Sequence, residues 1–155
     1  MAVKTSAGTT LAVSASIPAT FDQAGYQASA MVFTSVGEIT DLGEFGRVYA
    51  LVKHNPVASR GTVKKKGSFD EGSMALKLGL DTDDAGQIIV KAASKSDNDY
   101  SFKVTTQNGD VYYFQAQVMD FKVGVGSVDS ITSASVNLEL TTSSAGVGIV
   151  EVLAA

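Results

Sequence analysis

The sequence has no cysteine, no tryptophan, a single histidine and only two prolines in 155 residues. Without cysteine there is no disulfide framework, no thiol nucleophile and no Cys-ligated zinc or iron–sulfur cluster. One histidine, His54, excludes a site built from two imidazoles. Positive charge is also scarce. Twelve Lys+Arg face sixteen Asp+Glu, a net charge of −4, which argues against a free-standing nucleic-acid binder, because neutralising phosphates takes clustered cation. No run of about 18 apolar residues occurs, so no membrane-spanning helix is expected. The first sixteen residues hold one lysine and no compact apolar run, so a signal peptide is not expected and a cytoplasmic origin is. The length leaves room for one domain with one core.

Charged residues make up 18% of the chain, against about 25% for an average globular domain. Val, Thr, Ser, Ala and Gly fill the difference. A small domain so sparsely charged either coats a β-rich body with Ser and Thr or gives part of its surface to an interaction. Composition leaves both open.

The pattern reads as mainly β. Residues 31–36, 47–53, 62–66, 73–80, 100–106, 111–125 and 134–141 are rich in β-branched or aromatic residues, and glycine-containing turns separate most of them. Met74, Leu76, Leu78 and Leu80 share one face of a strand. Ala134, Val136, Leu138 and Leu140 share another, with Ser135, Asn137 and Glu139 opposite. Both predict half-buried antiparallel strands. The fold class is an antiparallel β-sandwich or small barrel with one flanking helix over about residues 85–95 and a long inter-strand loop. Asp84 and Gln87 fit a capping box for that helix, and Ala85, Ile88, Ile89 and Ala92 make its apolar stripe. Residues 1–16 read as a flexible N-terminal arm, 17–142 as the β-domain, and 143–155 as a C-terminal arm or short strand.

Two features can be argued to the residue. A three-residue turn, Gln107-Asn108-Gly109, pairs Val104 with Tyr112, Phe102 with Phe114 and Tyr100 with Ala116, which puts the large apolar residues on one face. Gly109 then takes the left-handed position of a G1 bulge. In the strand that follows, the apolar residues are even-numbered to Val118 and odd-numbered from Met119, so a bulge near 118–119 is expected.

Residues 37–73 are the unusual part: long, punctuated by glycine and charged. Within them Arg47–Lys53 is apolar on both alternation faces, Val48, Ala50 and Val52 against Tyr49 and Leu51. Such a strand is either central or covered by another chain.

No catalytic set emerges. Asp81, Asp83 and Gly86 start like a calcium loop, but Ala92 stands where a bidentate Glu is required. Gly61 to Ser68 lacks the lysine and helix of a phosphate loop. The Gly124/Gly126 and Gly146/Gly148 pairs lack the third glycine of a dinucleotide site. His54 lies in a turn-like Lys-His-Asn-Pro sequence with no nucleophile beside it. Catalytic, cofactor-binding and metal-binding residues are therefore all read as none, the protein as no enzyme, and no cofactor is expected. Lys64, Lys65 and Lys66 alternate across a strand and read either as a lysine-protected edge or as partners for acidic loops of a neighbouring subunit.

The segments Val36-Gly-Glu-Ile-Thr-Asp-Leu-Gly-Glu-Phe-Gly46, Asn55-Pro-Val-Ala-Ser-Arg60 and Thr62-Val-Lys-Lys-Lys-Gly-Ser-Phe-Asp-Glu-Gly-Ser73 resemble the major tail tube proteins of long, non-contractile-tailed (lambda-like siphovirus) phages. Ser14 to Asp22, Asp84 to Gln87, Tyr100 to Val104 and Gly126 to Thr132 continue the resemblance, which spans roughly residues 12–142. It implies a structural virion protein of the phage tail, made in the host cytoplasm, that self-assembles into stacked six-fold rings forming the conduit for DNA ejection. The implied partners are further copies of the chain, tail tip or initiation proteins, tail terminator proteins and a tape measure protein in the lumen, with DNA passing unbound and no membrane. Asp41, Glu44, Phe45, Arg47, Arg60, Lys64, Lys65 and Lys66 are the candidate assembly residues. The alternative is a monomeric β-sandwich binding module.

Overall fold

The computed structural model describes residues 3–154. Ten strands and two helices follow in the order β1 (Thr10–Ser14), α1 (Gln23–Tyr26), β2 (Thr34–Val36), β3 (Ile39–Asp41), β4 (Val48–His54), β5 (Val63–Asp70), β6 (Ser73–Gly79), α2 (Ala85–Ala93), β7 (Tyr100–Thr105), β8 (Val111–Gly124), β9 (Ser133–Thr141) and β10 (Val150–Val152). Eight strands form one antiparallel sheet in the order β2-β1-β7-β8-β9-β6-β3, with β10 on β8. β4 and β5 pair only with each other, as a separate two-stranded sheet.

The large sheet rolls around its core. Its two edges, β2 and β3, are consecutive in the chain and joined by Gly37 and Glu38 alone. They are not ladder partners, so the seam is held by other means. The N-terminus of α2 supplies them. Asp84 Oδ2 accepts from the backbone N–H of Gln87 and from that of Gly37, both at 3.0 Å. Gln87 Nε2 donates to the carbonyls of Gly37 (3.0 Å) and Gly79 (2.9 Å), and its Oε1 accepts from Asp81 N–H at 3.0 Å. The expected capping pair exists, but the glutamine side chain clasps the sheet edges instead of closing the box.

Inside the roll lie Leu11, Val13, Met74, Leu76, Leu78, Phe102, Val104, Phe114, Ala116, Val136 and Leu138, all buried. Phe102 and Phe114 stack at 5.7 Å. Both alternating strands bury their predicted faces against each other, with Met74 opposite Leu138, Leu76 opposite Val136 and Leu78 opposite Ala134. The β7–β8 register is the one expected: Val104–Tyr112, Phe102–Phe114 and Tyr100–Ala116, with Gly109 at φ 94°. The β8–β9 ladder shifts between Val118 and Asp120, so Met119 is the bulge.

Three expectations are corrected, and one of two alternatives is removed. The arm expected over residues 1–16 is a strand from Thr10 onward: Leu11 and Val13 are fully buried, and β1 pairs with β7 and β2. The strand expected over 31–36 begins only at Thr34. Helix α2 buries Gly86, Gln87, Val90 and Ala93, while Ile88 is 53% exposed. A Cβ at position 86 would lie 2.2 Å from the Ser35 carbonyl oxygen, so only glycine lets the helix seat on that face. The doubly apolar strand is not central; it is β4, in the separate hairpin.

A second, smaller layer covers the outer face of β7 and β8. Tyr26 of α1 is buried, stacks on Tyr113 at 5.0 Å and accepts a hydrogen bond from Gln115 Nε2 at 3.1 Å. Asp22 caps this single turn through the Gly25 N–H at 2.8 Å. Residues 150–152, within the segment read as an arm or short strand, extend the ladder on β8 where β9 ends. Among the described residues no helix is long and apolar enough to cross a membrane.

Candidate assembly interface

The β4–β5 hairpin is built from its base outward. Phe45 leaves the main sheet packed on Tyr112 and Phe114, with ring centroids 5.3 and 5.7 Å away. Arg47 Nε donates to Glu71 Oε1 at 2.7 Å, and the glutamate is only 3% exposed. The same guanidinium lies 3.8 Å from the Phe69 ring centroid. Its hydrogen bonds to the Tyr49 hydroxyl (3.3 Å) and to Glu71 hold its pKa above the ordinary arginine value. On the return strand, the Leu140 N–H donates to the Gly72 carbonyl at 3.0 Å. The base is therefore anchored by packing, an ion pair and backbone bonding.

Beyond the base no other described segment pairs with the arm. Tyr49 opposes Phe69, Leu51 opposes Lys66, Val52 opposes Lys65, Lys53 opposes Lys64 and His54 opposes Val63, with one bulge between Tyr49 and Leu51. Strand alternation puts Tyr49, Leu51 and Lys53 on one face with Phe69, Lys66 and Lys64. The other face carries Val48, Ala50, Val52, His54 and Val63, with Lys65 opposite Val52 and Asp70 opposite Val48. Val48, Leu51 and Val52 are 66%, 59% and 50% exposed. Seven β residues project about 20 Å. An isolated two-stranded hairpin is marginal in water, and this one places Lys53 against Lys64, a like-charge pair that destabilises it further. The Tyr49–Phe69 contact at 5.8 Å, with Lys66 Nζ 4.7 Å from the Tyr49 centroid, offsets part of that cost.

Charge divides sharply between arm and body. Residues 48–70 hold five of the twelve Lys/Arg and one of the sixteen Asp/Glu, a balance of +4. The rest of the chain holds seven cations and fifteen acids, a balance of −8.

The eight residues expected at an interface separate into two groups. Arg60, Lys64, Lys65 and Lys66 stand exposed on the arm or its tip. Phe45 and Arg47 are committed to the base, and Asp41 accepts from the Gly43 N–H at 2.8 Å. Glu44 is exposed beside that base. The apolar residues Val48, Leu51, Val52 and Val63 and the lysine Lys53 were not among those expected. The signal for most of them lay in the two apolar faces of residues 47–53. His54 closes β4 opposite Val63 instead of lying in a turn.

No family model matches the sequence, and no curated protein does. Solved structures do match in shape. A chain of the sheath/tube terminator of an extracellular contractile injection system (PVC) superposes with a TM-score of 0.69 at 7% identity, covering 99% of both chains. A chain of the SPP1 tail tube gives 0.61 at 13% identity, covering 92% of this chain and 75% of that one. The tail of the empty GTA particle, determined with C6 symmetry, gives 0.59 at 11% identity, covering 79% and 87%.

The chain has the tail-tube fold. Within the tail-tube fold both contractile and other assemblies are represented, so the fold alone does not select the non-contractile class that the sequence resembles. The rolled sheet and α2 are the compact part of this tail-tube fold, and the β4–β5 arm is its uncovered part.

Proposed function

We propose that this protein is a structural subunit that self-assembles into stacked six-fold rings, forming a tail tube through which DNA passes at ejection. The observation that carries the reading is the β4–β5 arm: apolar on both faces, basic, anchored only at its base, and borne on a tail-tube fold. Burying Val48, Leu51, Val52 and Val63 against a second copy would remove the largest uncovered apolar surface of the arm from water, at roughly 25 cal/mol per Å². A ring needs a heterologous contact, in which the arm meets a different surface of its neighbour. An isologous contact would stack +4 on +4. The acidic body suits a conduit, since a basic lumen would hold passing DNA. In this reading the protein acts through interfaces and not as an enzyme, it resides in the virion tail, and it meets tip, terminator and tape measure proteins there.

The test is negative-stain microscopy of the purified protein after concentration, with and without tail-initiation proteins. Rings or tubes about six subunits round are expected. Persistent monomers under both conditions, confirmed by sedimentation velocity, would favour a monomeric binding module instead.

A further inference from the structure

A heterologous contact requires a receiving surface, and one region of the body has the shape and charge for it. Because α2 seats on Gly86, Val90 and Ala93, its opposite side leaves Ile88 and Ala92 in solvent. Together with Leu80, Phe121 and the aliphatic stems of Lys91 and Lys95 they line an open groove of about 450 Å³. The apolar strip does not stop there. Val123 lies on the same face of β8 as Phe121 and is 50% exposed, and Val125, just past the strand's end, is 66% exposed. The strip therefore runs from the helix to the β8–β9 tip. Ile17, Val32 and Leu153, also exposed, come from separate segments of the chain. Asp81 lines the groove with Lys91 and Lys95, Asp83 lies two residues on, and residues 80–97 together hold four acids and two lysines.

We propose that the groove between α2 and the β8–β9 tip receives the β4–β5 arm of a second copy of this chain. The arm's face bearing Val48, Val52 and Val63 meets Leu80, Ile88, Ala92 and Phe121. Lys65, opposite Val52 on that same face, comes to lie beside Asp81 and Asp83. Surfaces of opposite charge on different parts of one chain give a head-to-tail contact, the type that closes rings or extends filaments, and the charge match sets its register and its salt dependence. This inference rests on the self-assembly reading above and names the surface that reading leaves open.

The absence of native cysteine makes the test clean. Chains carrying Val52→Cys are mixed with chains carrying Ile88→Cys, assembled, oxidised and run on a denaturing gel. A covalent dimer is expected from the mixture and from neither variant alone, and Val52→Cys mixed with Ile17→Cys gives none. A second measurement guards against a variant that fails to assemble. Lys65→Glu is expected to deplete the tubes seen by microscopy, and adding Asp83→Lys to the same chain to restore them. Tubes in which Val52→Cys links to Ile17→Cys, or to neither partner, overturn the groove and leave self-assembly standing. So does a double charge variant that assembles no better than Lys65→Glu. Wild-type protein that never forms rings overturns both.

Discussion

β6–β9 and β4–β5 are both antiparallel pairs rich in aliphatic residues, yet they have opposite fates. β6 and β9 alternate apolar with polar, and their apolar faces meet inside the roll, where Met74, Leu76 and Leu138 are almost fully buried. β4 is apolar on both faces, and all seven of its residues are exposed among the described residues. A strand with one polar face is finished by its own domain. A strand with none is finished only by another surface, and until then it is held by its base. Stability is thus concentrated in the roll and association in the arm.

The sharpest way to break that division is to damage the roll. Phe114→Ala removes a fully buried ring that packs on Phe102 and Phe45. It is expected to cost about 3–5 kcal/mol, read as a lower urea midpoint, and to loosen the arm's base as well. Gln87→Ala tests the clasp. It strips donors from the Gly37 and Gly79 carbonyls and an acceptor from the Asp81 N–H, and should cost about 2–3 kcal/mol, with hydrogen exchange rising first at β2 and β3.

Arg47→Ala probes the boundary between the two regions. It leaves the Glu71 carboxylate, 3% exposed, without its guanidinium. Because Arg47 itself is over a third exposed, the urea midpoint is expected to fall less than for Gln87→Ala and less than for loss of a fully buried pair. The acid limb touches a smaller element. The Gly25 N–H, and after it the Thr20 hydroxyl, hold the Asp22 carboxyl below its ordinary value of 3.8. Its folded pKa is thus lower than its unfolded one. The stabilisation is complete above the unfolded value and is lost as pH falls through the folded value. Amides of α1 should lose protection in that acid range before the sheet does, measured by exchange against pH. The smallest stability effect is expected in the arm itself. Leu51→Ala with Val52→Ala should move the urea midpoint by no more than about 0.5 kcal/mol, while reducing assembly.

Much of the roll was legible. The Gln107–Gly109 turn chemistry and the demand that Phe102 and Phe114 share a face left one register, and the parity change at 118–119 required a bulge. The existence of α2 followed from Asp84 and Gln87. Its buried face did not, because that depends on how closely Gly86 approaches Ser35, a contact 51 positions away in sequence. β1 is five small or aliphatic residues whose strand character comes from its partners β7 and β2, so propensity pointed to an arm. α1 is one turn, too short for any periodicity. At the interface, Lys64 to Lys66 could be placed on a strand by alternation alone. The Tyr49–Phe69 pair and the Lys53–Lys64 opposition needed the register across a bulge. Phe45 and Arg47 look like surface residues until Tyr112 and Glu71 are seen beneath them.

Hydrogen–deuterium exchange on the protein as monomer and as assembled tube compares the two regions directly. Slower exchange on assembly is expected in residues 48–70, with amides of β6 and β9 inside the roll unchanged. Equal exchange of residues 48–70 in monomer and tube would contradict the assignment of assembly to the arm.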